Sequence, residues 1–210
     1  MFELKDFIMR LLAGVFAFLL FPLVTSAQMS MYGGLTISTI RSQHLVGDTR
    51  PTVGYQMGLN YDWITPKLTP FYPSLSVDLT RKGYAQEIGG TRHAYRLSYL
   101  TVYPNMNYSI GEQWSVGAGV ELSALFRARY RQGSDNIGVI ENYRGSDIGL
   151  RAEVRWHSQQ RWGLHAGYTH GLRKLVKYPS ISDTGDFVGT IRDVSTRTIY
   201  FGFRTSLSYL

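Results

Sequence analysis

The chain contains no cysteine. Disulfide scaffolds, thiolate metal sites and cysteine nucleophiles are therefore excluded. It has little that resembles a membrane helix. Its one long uncharged apolar run, Leu11–Val24, falls short of the roughly 20 residues a helical span needs. No apolar pattern recurs at helical spacing over several turns, so bundles and coiled coils are excluded too. The nucleophile pattern G-x-S-x-G is absent. Among His44, His93, His157, His165 and His170 no pair has the i, i+4 spacing of a helical zinc site. Acidic residues are in the minority, 15 against 22 basic ones, and the formal net charge is +7. That balance permits nucleic acid, anionic lipid or lipopolysaccharide as a partner without choosing among them.

The apolar run sits behind Met1–Arg10, which carries two acidic and two basic residues, and ahead of Thr25, Ser26 and Ala27. This is the three-part plan of a secretory signal. Residues 1–27 are expected to be a signal peptide cleaved after Ala27, and residues 28–210 a single exported domain.

What the chain has in abundance is alternation. Eight segments read as strands: Tyr32–Arg41, Val53–Trp63, Phe71–Gly83, Tyr95–Tyr108, Trp114–Arg127, Asp147–His157, Arg161–Leu172 and Thr198–Tyr209. Each is near or above the roughly 9–11 residues that a tilted strand needs to cross a bilayer. Their connections alternate between short turns and long polar loops. The turns face the periplasm and the loops the outside in an outer-membrane barrel.

Alternation alone fits a soluble sandwich as well. The tryptophans separate the two. Trp63, Trp114, Trp156 and Trp162 sit at the turn ends of their strands with the parity of the apolar face. Phe71, Tyr108 and Tyr209 take the same place in three further strands. A membrane barrel needs such a belt, because an amphipathic ring settles at headgroup level. A sandwich has no reason to collect its tryptophans at one end. The expected fold is all-β: an eight-stranded antiparallel up-and-down transmembrane barrel, closed by pairing of the last strand with the first.

Several segments resemble the PorT-like, or outer membrane protein beta-barrel, family of small Gram-negative barrels. They are "LSVDLTRKGYAQ" with Lys82-Gly83-Tyr84, "YRLSYLTVYPNMNYSI", "WSVGAGVELSALF", "SDIGLRAEVRW" and "WGLHAGYTHGL", in the family's order. Thr101 stands where the family has an acid, and Pro104 lies one place late, so a shifted register or bulge is expected there. The resemblance implies an outer-membrane location. Through one branch of the family it also implies a link to type IX protein secretion, with envelope proteins contacted through the loops.

Within the barrel, parity places Asp62, Asp78, Lys82, Glu121, Arg127, Arg151, Glu153, Arg155, His165 and Arg204 on the inward face. Asp78, Glu121, Arg151, Glu153, Arg155, His165 and Arg204 are expected to form a paired polar network. An unpaired charge in a narrow interior is costly, and an eight-stranded barrel is filled by its own side chains. The partner of Arg204 is expected among Asp78, Glu121 and Glu153. At the loop rim, Arg127, Arg129, Arg131, Arg173 and Lys174 are candidates for contact with the phosphates of lipopolysaccharide. No catalytic, cofactor or metal site is expected, and export argues against nucleic acid. Asp183 and Asp186 read as a solvated turn. A lipid-A-modifying enzyme using His93 or His170 with Ser98, and a small channel, are the alternatives.

Overall fold

The computed structural model describes residues 27–41, 48–63, 70–88, 91–132, 135–140, 143–158, 161–173, 179–181, 187–190 and 195–207. Eleven strands lie in these residues: β1 Ala27–Arg41, β2 Asp48–Trp63, β3 Phe71–Ile88, β4 Thr91–Ile110, β5 Trp114–Gln132, β6 Asp135–Gly138, β7 Ser146–His157, β8 Trp162–Gly171, β9 Pro179–Ile181, β10 Phe187–Thr190 and β11 Ser195–Ser206. Eight of them close into an antiparallel barrel in the order β4-β3-β2-β1-β11-β8-β7-β5, with β5 pairing back to β4. Closure runs through β1 and β11, in unbroken register from Ser30↔Ser206 to Arg41↔Ser195. The sheet so formed has no edge among these eight strands, as a sheet in lipid requires.

The barrel is lopsided. β3, β4 and β5 run for 18, 20 and 19 residues, whereas β7, β8 and β11 have 12, 10 and 12. The long wall carries the ladder well past the sequence-predicted strand ends, and β6 extends it by pairing with the end of β5. β6, β9 and β10 fall in stretches read from the sequence as loops. β9 and β10 pair only with each other. At the far end the chain turns tightly between β4 and β5, where Gly111 adopts φ +67°. Glycine is suited to that left-handed conformation.

Side chains alternate between two environments. The outward positions hold Met57, Leu150, Ile199 and Phe203, at 51, 52, 55 and 69% exposure. The inward ones hold Thr36, Thr101 and Asn107, at 0%. Such an apolar band exceeds the few hundred Å² that a water-facing protein ordinarily exposes. It is the surface of a barrel that spans a bilayer. No helix among the described residues is long and apolar enough to cross a membrane; the strands do so.

Two sequence expectations are corrected. Pro104 causes no register shift: the β3–β4 ladder is unbroken from Phe71↔Tyr108 to Ile88↔Thr91, and the β4–β5 register is the same on both sides of Pro104. Pro104 points outward, where its missing N–H costs the ladder little. The irregularity lies further along β5. Ser98 pairs with Arg127 and Tyr99 with Leu125, so Phe126 is an extra residue, a bulge. The bulge reverses parity. Arg127, assigned inward by simple alternation, is exposed, and Ala128 is buried.

Candidate functional site

The lumen is built in tiers, and the turn-end tier rests on Arg155. Its Nε donates to Glu153 Oε1 at 2.7 Å, and its Nη1 to Asp62 Oδ1 at 3.0 Å. Its Nη2 donates to Asn60 Oδ1 at 3.2 Å. The other oxygen of Asp62 accepts from Arg204. Arg204's partner is thus Asp62, and none of the three acids considered from the sequence. Closure explains this. β1 lies between β11 and β2, and Tyr32 of β1 pairs with both Arg204 and Gly58. A long Arg side chain reaches across β1 to the turn-end acid of β2.

Arg151 organises the middle tier. Its guanidinium lies 4.2 Å from the ring centroid of Tyr200 and 4.5 Å from that of Tyr103, a cation held between two aromatic rings. Its Nε donates to the Tyr200 hydroxyl at 2.8 Å and its Nη1 to Asp78 at 3.2 Å. Glu153 and Glu121 lie at 3.6 and 3.8 Å. Asp78 also accepts from the Tyr32 hydroxyl at 2.7 Å. Room for Tyr200 comes from Gly167, where a Cβ would overlap its hydroxyl. One level up, Lys82 pairs with Glu121, whose second oxygen accepts from Thr169 at 3.0 Å. His165 hydrogen-bonds Gln56, nitrogen to nitrogen at 2.9 Å, and its ring meets those of Tyr32 and Tyr200 at 5.2 and 5.9 Å.

Asp62, Asp78, Glu121 and Glu153 thus interlock with Lys82, Arg151, Arg155 and Arg204, and all eight side chains are at most 8% exposed. A buried charge so paired keeps its hydrogen bonds, and removing either partner strands the other. A small cavity of about 10 Å³ lies inside this network, against Tyr32, Glu153, Arg155, His165 and Arg204. A wider vestibule of about 470 Å³ opens at the turn end, bordered by Asp62, Tyr72, His157, Arg161 and Arg204.

Above Lys82 the lumen changes character. Ile40, Tyr84, Leu97, Tyr99, Leu125, Ala128 and Tyr143 form one buried cluster, with Tyr95 and Val139 packed against it. Tyr84 stacks on Tyr95 at 4.7 Å, and Tyr95 meets Tyr130 at 5.1 Å. The sequence reading did not find this apolar stopper. Its signal was present: Leu97 and Tyr99 have the inward parity of β4, while Arg96 has the outward one.

The turn-end aromatics are brought into contact. Phe71 packs on Tyr108 at 4.8 Å, Trp156 on Trp162 at 5.2 Å, and Trp63 on Tyr61 at 4.8 Å. Trp114 pairs in register with Trp156. Tyr209 lies outside the described residues. The rim candidates separate. Arg127, Arg129 and Arg131 share the outer face of β5, but Arg173 lies beyond β8 and donates to Ser146. Lys174, Asp183 and Asp186 lie outside the described residues.

The histidines considered for catalysis are not gathered. His93 hydrogen-bonds Tyr130 on the inner face, Ser98 faces outward, and His170 sits on β8 beside Tyr168. Among the described residues no group of three His, Cys, Asp or Glu side chains could hold a metal ion.

A family model described as outer membrane protein beta-barrel domain matches residues 24–177. Two solved barrels share the fold. Neisserial surface protein A is 16% identical at a TM-score of 0.53, covering 86% of this chain and 98% of its own. Ail, the attachment invasion locus protein of Yersinia pestis, is 14% identical at a TM-score of 0.51, covering 86% and 99%. No curated protein sequence matches significantly.

Proposed function

The chain belongs to the outer membrane protein beta-barrel domain family, and from that premise we propose that it is a non-enzymatic, non-conducting barrel serving the envelope as a scaffold. Its loop end would dock other envelope proteins, the PorT-like secretion assembly among them, while its outer wall contacts outer-membrane lipid and lipopolysaccharide. The filled lumen carries this reading. An ion path needs water along its length. Here Arg151 packs between Tyr103 and Tyr200 in the middle, and the buried Leu97–Leu125 cluster packs above, which supports a lumen closed to water. An enzyme of the lipid-trimming kind needs a nucleophile, a base and an acid on one face. His93 and Ser98 face opposite ways on β4.

Conductance in planar bilayers tests the proposal. The purified, refolded barrel is expected to give no steady single-channel current. Reproducible unitary steps that vanish on denaturation would make the channel reading the better one. Lipid A altered by the protein, and left unaltered after His93 or His170 is replaced by Ala, would favour the enzyme.

A further inference from the structure

The outward face of the long wall carries a group of guanidinium side chains that the lumen network does not use. In one cross-strand row stand Arg81, Ser98 and Arg127; in the next stand Gly83, Arg96 and Arg129. Neighbouring strands lie ~4.8 Å apart, and same-face residues along a strand ~6.7 Å apart, so the four arginines share a patch roughly 10 Å across. Each is at least partly exposed. Among the described residues no carboxylate forms an ion pair with any of them; the nearby pair is Arg50 with Glu87, at 2.5 Å. The charges that bear on Arg96 are Arg81, Arg131 and Arg92, all of its own sign. Arg81 is anchored from the side by the Tyr55 ring, 5.8 Å from its guanidinium carbon. Between them lies a depression of about 70 Å³, lined by Tyr55, Arg81, Arg96, Ser98, Arg127 and Arg129.

The position of this patch matters as much as its charge. Directly below it, on the same outer face, Tyr55, Met57, Leu79 and Phe126 are 42, 51, 43 and 48% exposed. The Phe126 bulge sets the boundary. It leaves Phe126 outward and turns Arg127 and Arg129 outward as well. Without it the two arginines would point at Leu97, Tyr99 and Leu125, where an unpaired guanidinium is costly. Apolar surface below and clustered cations above match an amphiphile with an anionic head. Arginine forks bind phosphate oxygens in pairs. A phosphate monoester carries about −1.5 to −2 at neutral pH, so four cations are matched by two such groups and poorly by one phosphodiester.

We propose that the outer face of β3–β5 is a binding site for a diphosphorylated, acylated glycolipid of the outer leaflet, of the lipid A type. Arg81, Arg96, Arg127 and Arg129 hold its phosphates, Ser98 leaves room and donates a hydroxyl, and Tyr55, Leu79 and Phe126 meet its acyl chains. The site rests on the barrel's place in the outer membrane and not on its closed lumen, so a conducting barrel would leave it standing.

The test uses the full mature barrel in phosphatidylcholine nanodiscs, titrated with diphosphorylated lipid A, monophosphorylated lipid A or phosphatidylglycerol. Bound lipid is counted by native mass spectrometry. The diphosphorylated form is expected to bind at one per barrel, on the order of tenfold tighter than either alternative. The double variant Arg96→Gln/Arg127→Gln, its folding checked by heat-modifiable migration, should lose that preference. Arg161→Gln, at the turn end of the barrel, should keep it. Equal binding of the three lipids by the wild-type barrel would overturn the proposal without need of any variant. So would an unchanged preference in the double variant. Displacement of lipid A by millimolar inorganic phosphate would show a simple anion site and overturn the glycolipid assignment.

Discussion

Along β4 the wall between Leu100 and Tyr108 is apolar outside and polar inside: Leu100, Met106 and Tyr108 face out, and Thr101, Asn105 and Asn107 face in. From Tyr99 upward the arrangement is inverted, with Leu97 and Tyr99 buried inside and Arg96 exposed. β5 makes the same change at Phe126, and β3 between Lys82 and Tyr84. The inversion marks the point where the solvent outside changes. In lipid an outward methylene gains nothing by turning inward, so the lumen is free for a hydrogen-bonded ion network. Above the bilayer the outside is aqueous, and burial of Leu and Tyr again drives packing, as in a soluble core. One barrel is thus stabilised by two kinds of core stacked end to end.

The two cores should fail differently. The largest effect is expected from Arg155→Ala, which takes one of two cations from Glu153 and one of two from Asp62. Equilibrium unfolding in vesicles should show a loss of roughly 3–5 kcal/mol. The pairing makes a sharper statement at Arg204. Arg204→Ala combined with Asp62→Asn should cost less than Arg204→Ala alone, because the carboxylate that lost one of its two cations is removed with it. In the upper core, Leu97→Ala should cost about 2–5 kcal/mol through lost burial and a residual cavity, with no such rescue. Val120→Arg, on the lipid face, should cost about 2–4 kcal/mol if Val120 lies near the midplane. The smallest effect is expected at Arg96→Gln, above the inversion, where a surface change should stay within about 0.5 kcal/mol of wild type. A large loss there would mean that the outer wall at this height is not aqueous.

Much of this was legible in the residues. The eight strands, their closure and the inward set other than Arg127 follow from a period of two and from the turn-end tryptophans. Three features were not. The bulge at Phe126 lies inside a run that alternates well enough to hide it, and only the cross-strand partners of Ser98 and Tyr99 reveal the extra residue. Asp62 escaped as the partner of Arg204 because neighbours across a closed barrel depend on its stagger, which no single strand records. The upper parts of β3, β4 and β5 are polar on the outer face, and polar stretches between strands read as loops. All three failures sit at or above the inversion or across the closure. There the simple rule, apolar out and polar in, stops describing the wall or does not fix its partners.

The inversion is tested most directly by single-cysteine spin labelling along β5, in a chain that has no cysteine of its own. Labels at positions 120, 121, 123, 125, 126, 127, 128 and 129 are read in vesicles for collision with dissolved oxygen, which enriches in lipid, and with a water-soluble nickel chelate. The expected pattern is oxygen contact at 120 and 126, protection from both at 121, 123, 125 and 128, and nickel contact at 127 and 129. Unbroken alternation, with 127 and 129 protected and 128 open to collision, would contradict it.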